Sequence, residues 1–114
     1  TIKIDVEGAE YQCISCLKEL IIKNKPFIIV EILPVYLAGN LERHKNQDKI
    51  LKLLKSIEYT FFRIIKNKKN YISHFQKFEE IGIHSDISLC DYVFVPKEKL
   101  KVFHKTNLVL QDNY

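Results

Sequence analysis

An α/β sheet with a parallel core and an antiparallel addition at one edge is the architecture this sequence predicts. Three observations predict it. Apolar runs and helical periods follow one another in the order strand, helix, strand, helix, strand, strand. The run FIIVEIL, residues 27–33, is almost unbroken apolar, as in a strand buried on both faces of a parallel sheet. No sizeable helix separates the last two strands, so they pair antiparallel rather than through a crossover.

Each element has its own signal. Ile2, Ile4 and Val6 alternate with Lys3 and Asp5, which predicts a short strand over residues 1–6. Gly8 breaks it. AEYQCISCLKELIIKNK then reads as one helix, with Ala9, Cys13, Cys16, Leu17, Leu20 and Ile21 on its buried stripe. Glu7 and Glu10 at its start and Lys23 and Lys25 at its end suit the helix dipole, and Pro26 stops it. Pro34 ends the second strand. PVYLAGNLERHKNQ shows no clear period and reads as a long connection, of the kind that often carries function. A second helix is expected over residues 48–58, with Ile50, Leu51, Leu54 and Ile57 inward and Lys49, Lys52 and Lys55 in water. YTFFRII is a third strand, returning through NYISHF as a hairpin. FQKFEEIGIHSDISL is irregular with one helical turn, CDYVFVP a strand, KEKLKVF a short helix, and HKTNLVLQDNY a loose tail.

The 114 residues suffice for one domain, and 46% apolar residues suffice for a core. No apolar run approaches the ~20 residues that span a bilayer. The start lacks a basic leader and a small-residue cleavage site, which points to a cytoplasmic protein. The net charge is +4, and its densest basic cluster, KNKKN at residues 66–70, lies between two strands as a solvated turn. Nucleic-acid binding needs a wider patch with stacking aromatics, so it is not expected. Cys13, Cys16 and Cys90 are an odd set without an export signal, which argues against a disulfide framework. Cys13 and Cys16 form a C-x-x-C placed in mid-helix. A zinc site lacks its further ligands and a redox pair would sit at a helix start, so two small buried side chains are expected and no metal.

In open α/β sheets, ligands bind at the carboxyl ends of the parallel strands. Asp5 and Glu7 fall at that end of the first strand and Glu31 near that end of the second, where a ligand or water can satisfy charges that a dry core would not tolerate. Gly8 lets the backbone turn close to a ligand. Structural roles compete: Asp5 as a helix cap, Glu7 as a first-turn dipole partner, Glu31 as an ion-pair partner at a sheet edge. They lead for Glu7 and stand level for Asp5 and Glu31.

IKIDVEGAEYQCISCLKEL followed by KPFIIVEILP resembles the C-terminal half of the FkbM family of methyltransferases. That family shows a strand ending in D-V-E-G-A-E, a helix, a lysine-proline and a strand ending in V-E-I. Here these are residues 5–10, Lys25 with Pro26, and Val30-Glu31-Ile32, while CDYVFVPKE is similar to the closing strand. The resemblance implies a class I, Rossmann-like fold whose seven-stranded sheet ends in an antiparallel strand. This chain would supply the fourth to seventh strands as a single partial domain, residues 1–114, with the other half expected before Thr1. It implies S-adenosylmethionine as cofactor and methyl transfer to a hydroxyl of a small molecule or glycan, such as a sugar, glycolipid or secondary metabolite. Asp5, Glu7 and Gly8 would lie on the cofactor side, Asp5 and Glu31 would serve as base or position the hydroxyl, and Tyr36 and His44 are weaker candidates for substrate contacts. The family's glycine-rich cofactor loop and ribose-binding acid are not among these residues, so the chain alone is expected to be inactive. The competing expectation is a non-enzymatic remnant or interaction module that self-associates through the exposed edge of its first strand.

Overall fold

The apolar run at residues 27–33 forms a strand, Ile28–Glu31 (β2), inside the sheet of the computed structural model, which describes residues 1–6, 8–34, 41–82, 84, 86–107 and 109–111. On one side β2 pairs parallel with β1, Ile2–Ile4, in the register Ile4 to Val30. On the other it pairs antiparallel with β5, Asp91–Pro96, which places Glu31 opposite Asp91. Beyond β5 lies β3, Tyr59–Lys66, then β4, Ile72–Phe78, then β6, Val109–Gln111. Among the described residues these six strands form one sheet in the order β1-β2-β5-β3-β4-β6. Because β5 runs against both β2 and β3, those two run the same way as β1.

The mixed α/β character matches expectation, and the distribution of strand directions does not. Three interfaces are antiparallel, β2 with β5, β5 with β3 and β3 with β4; two are parallel, β1 with β2 and β4 with β6. The antiparallel strand β5 is interior, not an edge addition. The cause is legible in its burial: Tyr92, Val93, Phe94, Val95 and Pro96 are all buried, so neither face can stand at a wet margin. The tail expected to be loose contributes β6, which gains its backbone partners from β4 through the pair Phe75 and Val109.

The expected single helix is two, α1 at Glu10–Cys16 and α2 at Lys18–Asn24, parted at Leu17. Ile14 and Ile21, seven apart, are fully buried, with Cys13 and Leu17 partly buried beside them. Cys16 and Leu20, expected on that stripe, are exposed; the inward line runs through Glu10, Ile14, Leu17 and Ile21 instead. Lys25 closes α2 in the left-handed region at φ 47°. Helix α3 spans Leu41–Ser56, starting well before the expected residue 48, and buries Gln47, Ile50, Leu51 and Leu54. The lysine-rich cluster is a turn as expected: the Asn67 carboxamide oxygen accepts from Lys69 N–H at 2.9 Å and Tyr71 N–H at 3.1 Å. One helical turn does form at Ile87–Leu89 in the irregular stretch.

The layers follow from alternation along the strands. Ile28, Val30, Tyr92, Phe94 and Phe61 join Ile14, Ile21, Ile50 and Leu54 in a core under α1, α2 and α3. Phe62, Ile64, Val93 and Val95 pack on the opposite face against Phe103 of α4, Leu100–Thr106. Phe103 lies 4.7 Å from the ring of Phe62 and 5.0 Å from that of Phe75. Each such buried side chain contributes about 1.5–3 kcal/mol, so both faces are anchored and the carboxyl ends of β1 and β2 are held between them.

Candidate functional site

The rim is built from what leaves those strand ends. After Ile4 the chain passes through Asp5 and Val6, both exposed, and turns at Gly8, whose φ is +80°. A Cβ placed on Gly8 would meet nothing within 4 Å, so the turn needs glycine for its backbone angle and leaves open space at the rim. Helix α1 then starts without a side-chain cap, so Asp5 is not the cap that one structural reading expected. Glu10, in its first turn, is only 6% exposed, and its Oε1 accepts from Gly8 N–H at 3.4 Å.

The opposing wall comes from α3. Arg43 donates from Nη1 to the Pro34 carbonyl at 3.0 Å, and Gln47 donates from Nε2 to the Leu33 carbonyl at 3.0 Å. These carbonyls have left the ladder of β2, and each side chain satisfies an acceptor that burial would otherwise strand. Gly8, Glu10, Arg43, Asn46 and Gln47 line a cleft of about 30 Å³ over Ile32 and Ile50. Arg43 and Glu10 share this cleft and are not ion-paired with each other. Gln47 also borders a second cleft of about 120 Å³, with His44, Asp48, Leu51, Glu80 and Ile81.

Glu31 ends β2 on the other face of the sheet, the face of Ile29 and α4. It is half-buried and in register with Asp91, whose carboxylate is ion-paired with Lys66 at the end of β3. β2 is an interior strand, so Glu31 does not stand at the sheet edge considered for it. Asp5, Glu31 and Asp91 thus stand at one end of three neighbouring strands, with Lys66 beside the last. Behind them the Cys90 thiol is pushed up to about 11 by burial, reinforced by the charges of Glu31 and Asp91.

The sequence expectations fare unevenly here. Asp5 and Glu31 occupy adjacent strand ends as expected, and Gly8 lines the first cleft. Glu7 and Tyr36 lie outside the described residues. His44 was expected on a loop; it is in the first turns of α3, 3.4 Å from Asp48 Oδ2, and borders the second cleft without bordering that of Gly8. Arg43, Asn46, Gln47 and the burial of Glu10 were not anticipated. A signal existed for the first and third: positions 43, 47, 50, 51 and 54 continue one helical stripe, with polar residues where an apolar period would be sought.

No family model matches the sequence. No solved structure matches it. The chain is 31% identical over 94 residues to the male-specific histamine-binding salivary protein of Rhipicephalus appendiculatus, a match covering 82% of this chain and 44% of that protein. The chain therefore spans less than half the length of that relative.

Proposed function

We propose that this chain is the C-terminal part of an S-adenosylmethionine-dependent O-methyltransferase acting on a hydroxyl of a sugar, glycolipid or secondary metabolite. The observation that carries the reading is the strand arrangement. β1, β2 and β3 run one way and β5 runs against them, which supports the parallel strands and antiparallel last strand that the resemblance implies, with β4 and β6 added beyond them. The D-V-E-G-A-E segment leaves the carboxyl end of β1 and V-E-I that of β2, where a ligand of an open α/β sheet binds.

The residues present suit such a ligand at that rim. Gly8 offers an uncrowded backbone turn there, and Asp5 stands exposed beside it. When bound, the cofactor supplies an activated methyl group. The work left to the chain is to align the acceptor oxygen, exclude water and take the hydroxyl proton. Asp5 and Glu31 are the residues read as accepting that proton or orienting the hydroxyl, a reading that their position at neighbouring strand ends supports.

The test is calorimetric titration of S-adenosylmethionine into this chain and into the chain with the residues its gene encodes upstream. Binding to the longer chain is expected. Methyl transfer to a panel of hydroxyl acceptors should then fall about 10²–10⁴-fold in the variant of Asp5→Asn or Glu31→Gln that removes the base. Absence of binding to both chains overturns the reading and favours a non-enzymatic interaction module.

A second reading follows the salivary relative, whose name records histamine binding. The cleft of about 120 Å³ offers the carboxylates of Asp48 and Glu80 to a small amine. Both residues are exposed, and an exposed charge pair contributes about 1 kcal/mol or less, so this reading ranks second. Micromolar binding of histamine that is lost in Asp48→Asn would reverse the order.

A further inference from the structure

The hairpin of β3 and β4 concentrates positive charge and exposes apolar side chains at its tip. Between Glu58 and Glu79 the chain carries Arg63, Lys66, Lys68, Lys69 and Lys77 and no carboxylate. The ladder of β3 with β5 ends at Arg63 opposite Tyr92, while its pairing with β4 runs on to Lys66 opposite Ile72. The tip therefore projects past the strand beside it, and residues 67–73 are all exposed. Tyr71 is 68% and Ile72 57% exposed. Lys68 and Lys69, just before them, form no ion pair among the described residues, and the carboxylate of Asp91 at the base of the tip is already paired with Lys66. The turn is also held in shape. The Asn67 carboxamide oxygen fixes the Lys69 and Tyr71 amides, and Asn67 N–H donates to the Tyr71 carbonyl at 2.8 Å. A lone exposed apolar side chain is ordinary. Here two consecutive ones stand on a fixed projection beside two unpaired lysines, which suits a surface that is negative outside and apolar beneath.

From this we infer that the hairpin tip docks the protein on a bilayer surface containing anionic phospholipid. Lys68 and Lys69 meet the anionic head groups, and Tyr71 and Ile72 enter the boundary between head groups and acyl chains. A few lysines or a small apolar insertion alone binds weakly, and the two signals act together. A nucleic acid offers the same charge, but Ile72 has no partner on a phosphate backbone and a single tyrosine is a small stacking platform. β3 runs the same way as β1 and β2, so the tip leaves the sheet at the end where Asp5 and Glu31 stand. Docking there brings the rim to the bilayer. The consequence for the acceptor rests on the methyl-transfer reading: it selects the glycolipid over a free sugar or secondary metabolite. The docking itself holds without that reading.

The test is co-sedimentation of the full product of the gene with vesicles of phosphatidylcholine alone and of phosphatidylcholine with phosphatidylserine. Binding to the anionic vesicles is expected, weakened by added salt. Lys68→Gln with Lys69→Gln should lower the partition coefficient at least about fivefold. Tyr71→Ser with Ile72→Ser should lower it at least about tenfold. Lys45→Gln with Lys52→Gln removes the same charge from exposed positions on α3 and should leave binding within about twofold of wild type. Thermal unfolding of each variant confirms that it is folded; the four tip positions are exposed, so none is needed for the core. Failure to bind anionic vesicles, equal binding to neutral ones, or equal losses in the tip and α3 variants overturns the inference. So does a single-stranded oligonucleotide that displaces the vesicles and binds the Tyr71→Ser, Ile72→Ser variant as well as the wild type. Sedimentation involves no cofactor, so its failure leaves the methyl-transfer reading standing, and failure of S-adenosylmethionine to bind leaves the docking standing.

Discussion

Helix α3 presents Arg43 and Gln47 inward over its first half and Ile50, Leu51 and Leu54 over its second. The two halves face the same sheet and lie on one stripe, yet their chemistry is opposed. The second half meets the flanks of strands, whose backbone groups are already paired, and only apolar area remains to be covered. The first half meets the chain as it leaves β2, where the carbonyls of Leu33 and Pro34 have lost their ladder partners. A polar side chain there is the means of ending a strand in a half-buried place, and it leaves charged atoms at the rim. The opposite end of the sheet shows the contrast again. Tyr59, at the start of β3, donates its buried hydroxyl to the Pro26 carbonyl at 2.7 Å, a closed pair with nothing left to offer a ligand.

The largest effect expected belongs to the apolar half. Leu54 is fully buried, and Leu54→Ala should cost about 2–5 kcal/mol in denaturant unfolding. A loss below 1 kcal/mol would mean that α3 is not seated on the sheet as described. Next comes the polar half. Gln47→Ala strands the Leu33 carbonyl and should cost about 1–3 kcal/mol by the same measurement. If it were neutral or stabilising, the inward polar residues would have no structural duty.

Tyr59→Phe should cost about 1 kcal/mol at neutral pH. Tyr59 is also pushed up from 10.0 to about 12, first by burial and then by the charge of Glu98. The folded state keeps its proton where the unfolded chain gives it up. Its contribution is therefore whole below pH 10 and lost as the pH rises toward about 12. Stability measured across that window should fall more steeply in the wild type than in Tyr59→Phe; identical profiles would contradict the closed pair. The smallest effect is chemical. The exposed thiol of Cys16 should react with a maleimide at neutral pH well before Cys90, which is buried and shifted to about 11. Rapid labelling of Cys90 would show that the rim is open from behind.

Much of the framework was readable because burial wrote it in apolar runs. FIIVEIL declared a strand covered on both faces, CDYVFVP declared a strand, and the turn at residues 66–70 declared itself by composition. The interior position of β5 was in principle contained in the same run, since five consecutive buried residues do not suit an edge. What failed did so for physical reasons. The start of α3 escaped because an apolar period cannot register Arg43 and Gln47, whose inward role is to satisfy carbonyls. The strand β6 escaped because its pairing depends on β4, a partner some thirty residues away. Glu10 looked like an ordinary first-turn acid, and only the packing of α1 against α3 shows that it is buried. Asp5 and Glu31 stood out as candidates because a carboxylate at the end of an apolar strand breaks the pattern that predicts the strand.

The most direct test of the rim as the working end is hydrogen exchange on the full product of the gene, with and without S-adenosylmethionine. New protection at residues 4–10, 31–34 and 41–47 is the result expected. Unchanged exchange there, or protection confined to the hairpin at residues 66–72, would contradict it.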